Sequence, residues 1–288
     1  MNAVPAVRAV PRSILYTPAL DARRLESARR YDADLYLVDL EDSVPAPRKP
    51  EARRLCAEFL GGAGVAARAA VRINPLRTPD YAYDLAALLQ APAFPAFVFM
   101  TMVRAPAEVE VVREALAEAG HRPELYVTLE TLEAVAAADE IAAACDGMIL
   151  GSADLGTALG VEITWASMLY ARQRMVHATA RHGIGCIDTG CFRIGDAGAL
   201  REECERAREL GFHGKGTVHP GQLAEINRVF RPREEELAAA REVIAASERH
   251  QDELSVLDGG LVGPPFVKRA RWTIEMAEAW ERRFPCPE

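Results

Sequence analysis

Eight short apolar runs, each followed by an amphipathic stretch, restrict this chain more than any single residue does. They fall at residues 13–17, 35–39, 70–73, 97–100, 125–129, 147–150, 184–187 and 214–218. Runs this short and this continuously apolar read as strands buried on both faces, the habit of parallel sheets. Between them the periodicity turns helical, for example over 21–30, 49–59, 106–119, 165–181 and 198–210. Strict alternation of eight strands with helices predicts a closed (β/α)8 barrel in preference to an open doubly wound sheet. The turn after the first strand, Tyr16-Thr17-Pro18-Ala19, lacks the glycines of a dinucleotide-phosphate loop. Gly61-Gly62-Ala63-Gly64 lies between a helix and a strand, so it reads as a turn and not as a phosphate cradle.

The pattern changes after Pro232. One long Ala- and Glu-rich helix over 233–251, a turn at Leu257-Asp258-Gly259-Gly260 and a second helix over 267–283 form a helical extension. Two helices bury little alone, so they are expected to pack on the barrel or on a neighbouring subunit. The division is therefore a barrel over 1–230 and an extension over 231–288. In 288 residues half are apolar and a quarter charged, enough for a sizeable core. A net charge of −8 argues against a nucleic-acid face, which would be basic. The first twelve residues lack the apolar core of a signal peptide, and no later run approaches the roughly 18–20 apolar residues of a membrane span. Six scattered cysteines without a CxxC pair fit a reducing cytoplasm, with Cys186 and Cys191 flanking a turn that could carry a reactive thiol.

Isolated carboxylates carry the chemistry. Glu130 and Asp154 each stand just beyond an apolar run, and C-terminal strand ends gather the chemistry of a parallel barrel. Without Cys or His beside them, two such acids suit a hard cation such as Mg²⁺ that keeps several waters, although each also suits the cap of the following helix. Asp39-Leu40-Glu41-Asp42 crowds three acids at the second strand end, which calls for a nearby cation. Arg72, ending the third strand, is placed to grip a carboxylate or oxyanion or to pair with those acids. Arg12, Arg48 and Lys49 are read as positive charge near the same rim for an anionic handle, with plain surface roles as the alternative. His219, before Pro220, reads as a structural loop histidine.

Six segments in order then resemble one family: Arg12-Ser13-Ile14-Leu15-Tyr16-Thr17-Pro18, Asp39-Leu40-Glu41-Asp42-Ser43-Val44, Arg72-Ile73-Asn74, Leu129-Glu130-Thr131, Gly151-Ser152-Ala153-Asp154-Leu155 and Gly211 to Pro220. Together they look like the citrate lyase β-subunit-like family within the HpcH/HpaI aldolase and malyl-CoA lyase group. That resemblance implies a TIM barrel with a C-terminal helical extension, a homotrimer or hexamer, and Mg²⁺, with Mn²⁺ as a substitute. It implies a carbon–carbon lyase joining or separating an acyl thioester, usually of coenzyme A, and a 2-oxo acid such as glyoxylate, pyruvate or oxaloacetate. By position, Glu130 and Asp154 bind the metal, Arg72 the substrate oxygen, Glu41 and Asp42 the metal's waters, and the Gly151, Ser152, Ala153 and Asp154 backbone a substrate carboxylate. The chain departs from the family pattern at Gly263, where a catalytic Asp is usual, and at Ala19, Leu132 and Glu133. Asp258 or Asp188 is the expected substitute for the missing acid. An aldolase acting on free acids and a non-catalytic subunit are the alternative readings.

Overall fold

In the computed structural model of this chain, residues 9–249, 254–257 and 260–284 are described. Eight strands, β1 (Ser13–Pro18), β2 (Leu35–Asp39), β3 (Ala69–Ile73), β4 (Phe97–Met100), β5 (Glu124–Leu129), β6 (Gly147–Leu150), β7 (Gly185–Asp188) and β8 (Gly214–Thr217), run parallel in sequence order. The ring closes where Ser13 of β1 pairs with Lys215 of β8. This is the expected (β/α)8 barrel.

The helices are α1 (Ala22–Ala28), α2 (Lys49–Leu60), α3 (Pro79–Leu89), α4 (Pro106–Glu118), α5 (Leu132–Ala136), α6 (Ala138–Ala144), α7 (Ser152–Leu159), α8 (Trp165–His182), α9 (Ala197–Leu210) and α10 (Leu223–Phe230). Short α5 and α7 are the helices expected just beyond Glu130 and Asp154, whereas α6 was not expected, because seven residues give little helical periodicity to read. Caps at Asp21, Thr78, Thr131, Thr164 and Asp196 accept backbone N–H groups and fix where helices begin.

Alternation along the strands sorts the core into two layers. Ile14, Leu37, Ala70, Phe99, Tyr126, Ile149 and Ile187 fill the barrel interior. Leu15, Val38, Val71, Val98, Val127, Met148 and Cys186 face the surrounding helices. Tyr126 is the largest interior plug, and it fits only because β6 and β7 begin with glycine: a Cβ at Gly147 or Gly185 would run into its ring. With the interior filled this way, inward residues nearer the C-terminal ends are left to build a site.

Two expectations fail here. Arg12 lies at the N-terminal end of β1, opposite the site rim. Its guanidinium pairs with Asp34 at 3.0 Å and stacks 3.2 Å above the Trp280 ring, because buried Asp34 demands a charged donor. Asp188 also cannot serve as a base. It points outward from β7, fully buried between Lys215 (2.8 Å) and Arg172 (2.9 Å), which hold its carboxyl below the usual range against the cost of burial.

After Phe230 come α11 (Glu234–Arg249), a hairpin of β9 (Ser255–Leu257) and β10 (Gly260–Val262), and α12 (Pro264–Arg283). The turn read at 257–260 is this hairpin, with Leu257 opposite Gly260, and Asp258 lies outside the described residues. Helix α12 starts three residues before the expected 267, since proline is well tolerated in a first turn whose N–H groups lack partners anyway. Its far end seats on this chain's own barrel. Trp280 donates Nε1–H to Asp34 at 2.9 Å, and Arg283 reaches the Ala9 carbonyl and Glu124. Burying that indole contributes about 4–6 kcal/mol, from 150–250 Å² at about 25 cal/mol/Å².

Candidate active site

Strand β2 supplies the first element of the site. Asp39 follows Leu35 and Leu37 on the inward face and is buried. It accepts hydrogen bonds from Arg72 Nε (2.8 Å) and Nη2 (2.6 Å), from Ser43 Oγ (2.5 Å) and from the Glu41 N–H (3.0 Å). Burial alone would raise its pKa, but the Arg72 guanidinium and these donors outweigh that and hold it below the ordinary value. Asp39 therefore orients Arg72, the pairing with the strand-end acids that the sequence offered as the alternative role of this arginine. The commitment also corrects the picture of Arg72 as a free fork. Nε and Nη2 are spent on Asp39, which leaves Nη1 as the outward group, 3.0 Å from Glu41 Oε2 and 3.9 Å from Asp42. The Tyr16 ring lies 5.4 Å from the same guanidinium carbon.

The loop carrying Glu41 and Asp42 is pinned from below. Lys49 Nζ donates to the Leu40 carbonyl (3.1 Å), the Glu41 carbonyl (3.2 Å) and Asn74 Oδ1, so all three of its protons are used. Lys49 is a brace for this loop, and Arg48 is occupied by Glu51 and the Leu20 carbonyl. Neither is the free anionic handle read from the sequence.

Across the barrel mouth, Glu130 directly follows β5 and is buried. Its Oε1 accepts the Met102 N–H at 2.6 Å. Met102 has φ +52°, a left-handed conformation that costs a side-chain-bearing residue on the order of 1–2 kcal/mol. The strain turns a backbone donor onto the carboxylate, and nothing in the sequence announces it. Gly151, after β6, is the other contact. A Cβ there would sit 2.6 Å from both Glu130 Cβ and Oε2 and 2.7 Å from Thr128 Cγ2. Gly151 caps α7, whose first turn carries Ser152, Ala153 and Asp154. Ser152 is tied to Thr189 at 2.8 Å, while the first-turn N–H groups lack intrahelical partners.

The electrostatics show that these acids converge. In the metal-free protein, burial pushes Glu130 up to about 8, with Asp154 and Glu41 adding to the rise against Met102 and Arg72. Burial likewise lifts Glu41 to about 7, opposed by Arg72 and reinforced by Asp42 and Asp39. Asp154 is raised by burial and by Asp42. Glu41 Oε2 is buried with the ion-pair contact to Arg72 Nη1 but no aligned hydrogen bond, and Thr128 Oγ1 is buried without a hydrogen-bond partner among the described residues. Five carboxylates around one guanidinium, all oxygen donors, carry more negative charge than Arg72 offsets and fit a hard divalent cation. Among the described residues no three His, Cys, Asp or Glu side chains form a ready ligand set. Two carboxylates with the remaining positions left to water and substrate are how Mg²⁺ is commonly held.

The other sequence candidates lie elsewhere. Cys186 and Cys191 are buried and their thiols pushed up by that burial, Cys186 to about 12, so neither is a reactive thiolate. His219 accepts the Gly221 N–H and caps a turn, as read.

The family model for HpcH/HpaI aldolase/citrate lyase matches residues 12–220. The chain belongs to this family. Its relatives include a (3S)-malyl-CoA thioesterase of Cereibacter sphaeroides (strain KD131 / KCTC 12085), 34% identical over 276 residues, covering 93% of this chain and 95% of the relative. The citrate lyase subunit beta of Leuconostoc mesenteroides subsp. cremoris is 30% identical, covering 93% of each. Among solved structures, CitE from Mycobacterium tuberculosis in complex with magnesium, acetoacetate and coenzyme A superposes with a TM-score of 0.78 at 29% identity, covering 94% of this chain and 99% of that one. The HpcH/HpaI match takes in every residue of the site described above.

Proposed function

We propose that this chain is a Mg²⁺-dependent carbon–carbon lyase that cleaves or forms the bond between an acyl thioester and a 2-oxo acid. The observation that carries it is the convergence of Glu130 and Asp154 with the Arg72 guanidinium at the C-terminal barrel mouth, where Asp154 and Arg72 both act on Glu130 and Arg72 also acts on Asp154. Relatives named for malyl-CoA, citrate and citramalyl-CoA support the substrate class. So does the binding of magnesium, acetoacetate and coenzyme A by CitE.

In this reading Glu130 and Asp154 hold Mg²⁺, which supplies Lewis acidity toward the carboxylate and carbonyl oxygens of the oxo acid. Cleavage turns a carbinol into the oxo-acid carbonyl: the hydroxyl proton leaves, the carbon–carbon bond breaks, and its electron pair passes to the thioester α-carbon as an enolate that is then protonated. Arg72 Nη1 keeps positive charge where the alkoxide oxygen develops, oriented by Asp39. Glu41 and Asp42 accept hydrogen bonds from water in the site. The free N–H groups of the first α7 turn, Ser152 to Asp154 after Gly151, receive the substrate carboxylate at a helix N-terminus. Gly263 caps α12 with no carboxylate to offer, which favours carbon–carbon cleavage over thioester hydrolysis.

The same proposal takes residues 1–230 as the catalytic unit and 231–288 as an appendage, in a cytoplasmic homotrimer or hexamer. Exposed Leu132, Phe192, Ile194 and Val218 around the mouth, and Leu254, Val256 and Leu261 on the hairpin, support association between copies. No helix among the described residues is long and apolar enough to cross a membrane.

Titration calorimetry with Mg²⁺ and pyruvate tests the core of this. Glu130→Ala should abolish binding of both, and wild-type oxo-acid affinity in that variant would overturn the assignment. Activity screens with and without coenzyme A separate thioester from free-acid substrates.

A further inference from the structure

Away from the metal site, one histidine is left with an unused donor beside a cavity. His213, the last residue before β8, is half-buried. Its Nδ1 accepts the Cys186 N–H of β7 at 3.1 Å, which puts the ring proton on Nε2. Burial pushes the imidazole down to about 4, so at neutral pH the ring is uncharged and Nε2–H is a plain donor. Nε2 makes no hydrogen bond among the described residues, yet it is not sealed from solvent. The two ring nitrogens look out of different edges, so with Nδ1 turned to β7 the Nε2 edge is turned out of the barrel wall. There the Trp272 ring of α12 stands 6.2 Å away, centroid to centroid.

His213 and Trp272 both line a cavity of about 580 Å³ between the N-terminal end of the barrel and the α11–α12 pair. Room remains there because α11 meets it with the small Ala239 and Ala240. Buried Phe212 and Phe230 and the more exposed Phe266 and Trp272 give it aromatic walls. The other polar groups of the lining are already matched. Arg12 pairs with Asp34 (3.0 Å) and Arg208 with Glu236 (2.6 Å), and Thr273 spends its hydroxyl on the Arg269 carbonyl. Glu209 and Arg269 are exposed to solvent and opposite in sign. A ligand here meets aromatic surface and one neutral N–H, whereas an anion would shed its water for cations that already have partners. We propose that this cavity is a second ligand site, at the opposite end of the barrel from Glu130 and Asp154, that binds an uncharged molecule with an aromatic body and a carbonyl oxygen. The carbonyl accepts the His213 Nε2–H, and the body lies against Trp272, Phe266 and Phe230. No residue is shared with the metal site, so the proposal stands apart from the lyase reading.

Titration calorimetry on the full-length protein tests this, with acetophenone as the probe, ethylbenzene as the same shape without the oxygen, and benzoate as the charged control. Saturable acetophenone binding at one site per chain is expected, with ethylbenzene weaker by roughly fivefold or more and benzoate by roughly tenfold or more. His213→Asn keeps an oxygen for the Cys186 N–H and removes Nε2, so it should bring acetophenone down to the affinity of ethylbenzene. Trp272→Ala, at an exposed position of α12, should weaken acetophenone and ethylbenzene alike by roughly tenfold, and it keeps the proposal testable if His213→Asn does not fold. Glu130→Gln should change none of these affinities, which distinguishes failure here from failure of the lyase assignment. Absence of saturable binding, equal affinity for acetophenone and ethylbenzene, tighter binding of benzoate, an undiminished ketone preference in His213→Asn, or full affinity in Trp272→Ala would each overturn the proposal.

Discussion

Gly151→Ala is the sharpest probe of the metal site, because it adds one methyl group and removes nothing. The new Cβ would lie 2.6 Å from Glu130 Cβ and Oε2, where ordinary contact begins at 3.4 Å, so Glu130 must retreat by about 0.8 Å. Thr128 Cγ2, at 2.7 Å, blocks the other side. Productive site geometry tolerates roughly 0.5 Å, and disturbing a ligand's support typically costs 10–100-fold in metal affinity, about 1.4–2.7 kcal/mol. Overpacking should also cost about 1–3 kcal/mol of stability, less than a fold of this size needs to remain folded. Calorimetry with Mg²⁺ in the presence of pyruvate, beside thermal unfolding, measures both. A Gly151→Ala protein that binds Mg²⁺ within twofold of wild type would show that Glu130 is not a ligand held at that spot.

Three further outcomes follow from the same geometry. Arg72→Lys should lower kcat by roughly 10²–10³, nearly as much as Arg72→Ala, because an ammonium cannot meet both Asp39 oxygens and still face the substrate; steady-state kinetics showing a loss under tenfold would refute this. Metal-free protein should lose stability as pH rises from about 5 to 8. Glu130 and Glu41 titrate near 8 and 7 when folded and near 4.3 when unfolded, so the folded state binds extra protons in that window. The effect is on the order of a few kcal/mol, and Mg²⁺ should bind more tightly at pH 8 than at 6 with proton release; a melting temperature that climbs over this range without metal contradicts it. Met102→Gly should retain Mg²⁺ affinity and unfold no more than about 1 kcal/mol more easily, since the donor to Glu130 is backbone, whereas Met102→Pro should lose the metal; equal affinity in the two variants removes Met102 from the site.

The sequence alone determined the barrel, because eight apolar runs of strand length separated by helical periods admit few closed arrangements. It also brought Glu130, Asp154, Arg72, Glu41 and Asp42 forward, since polar residues that close or follow apolar runs lie at the C-terminal strand ends, where a parallel barrel gathers its chemistry. What only the tertiary structure decided was which way each charge is used. Asp39 and Asp188 both close apolar strands, yet Asp39 faces inward and aims Arg72, while Asp188 faces the helices and neutralises Lys215 and Arg172. Strand phase at the two positions separates them, and phase shows only when the ring closes and the Tyr126 plug meets Gly147 and Gly185. Arg12 and Lys49 were likewise undecidable in one dimension, because the end of the barrel a cation occupies and the carbonyls it meets depend on neighbours distant in the chain. The left-handed turn at Met102 had no signal at all, since its cost is offset only by a carboxylate twenty-eight residues away.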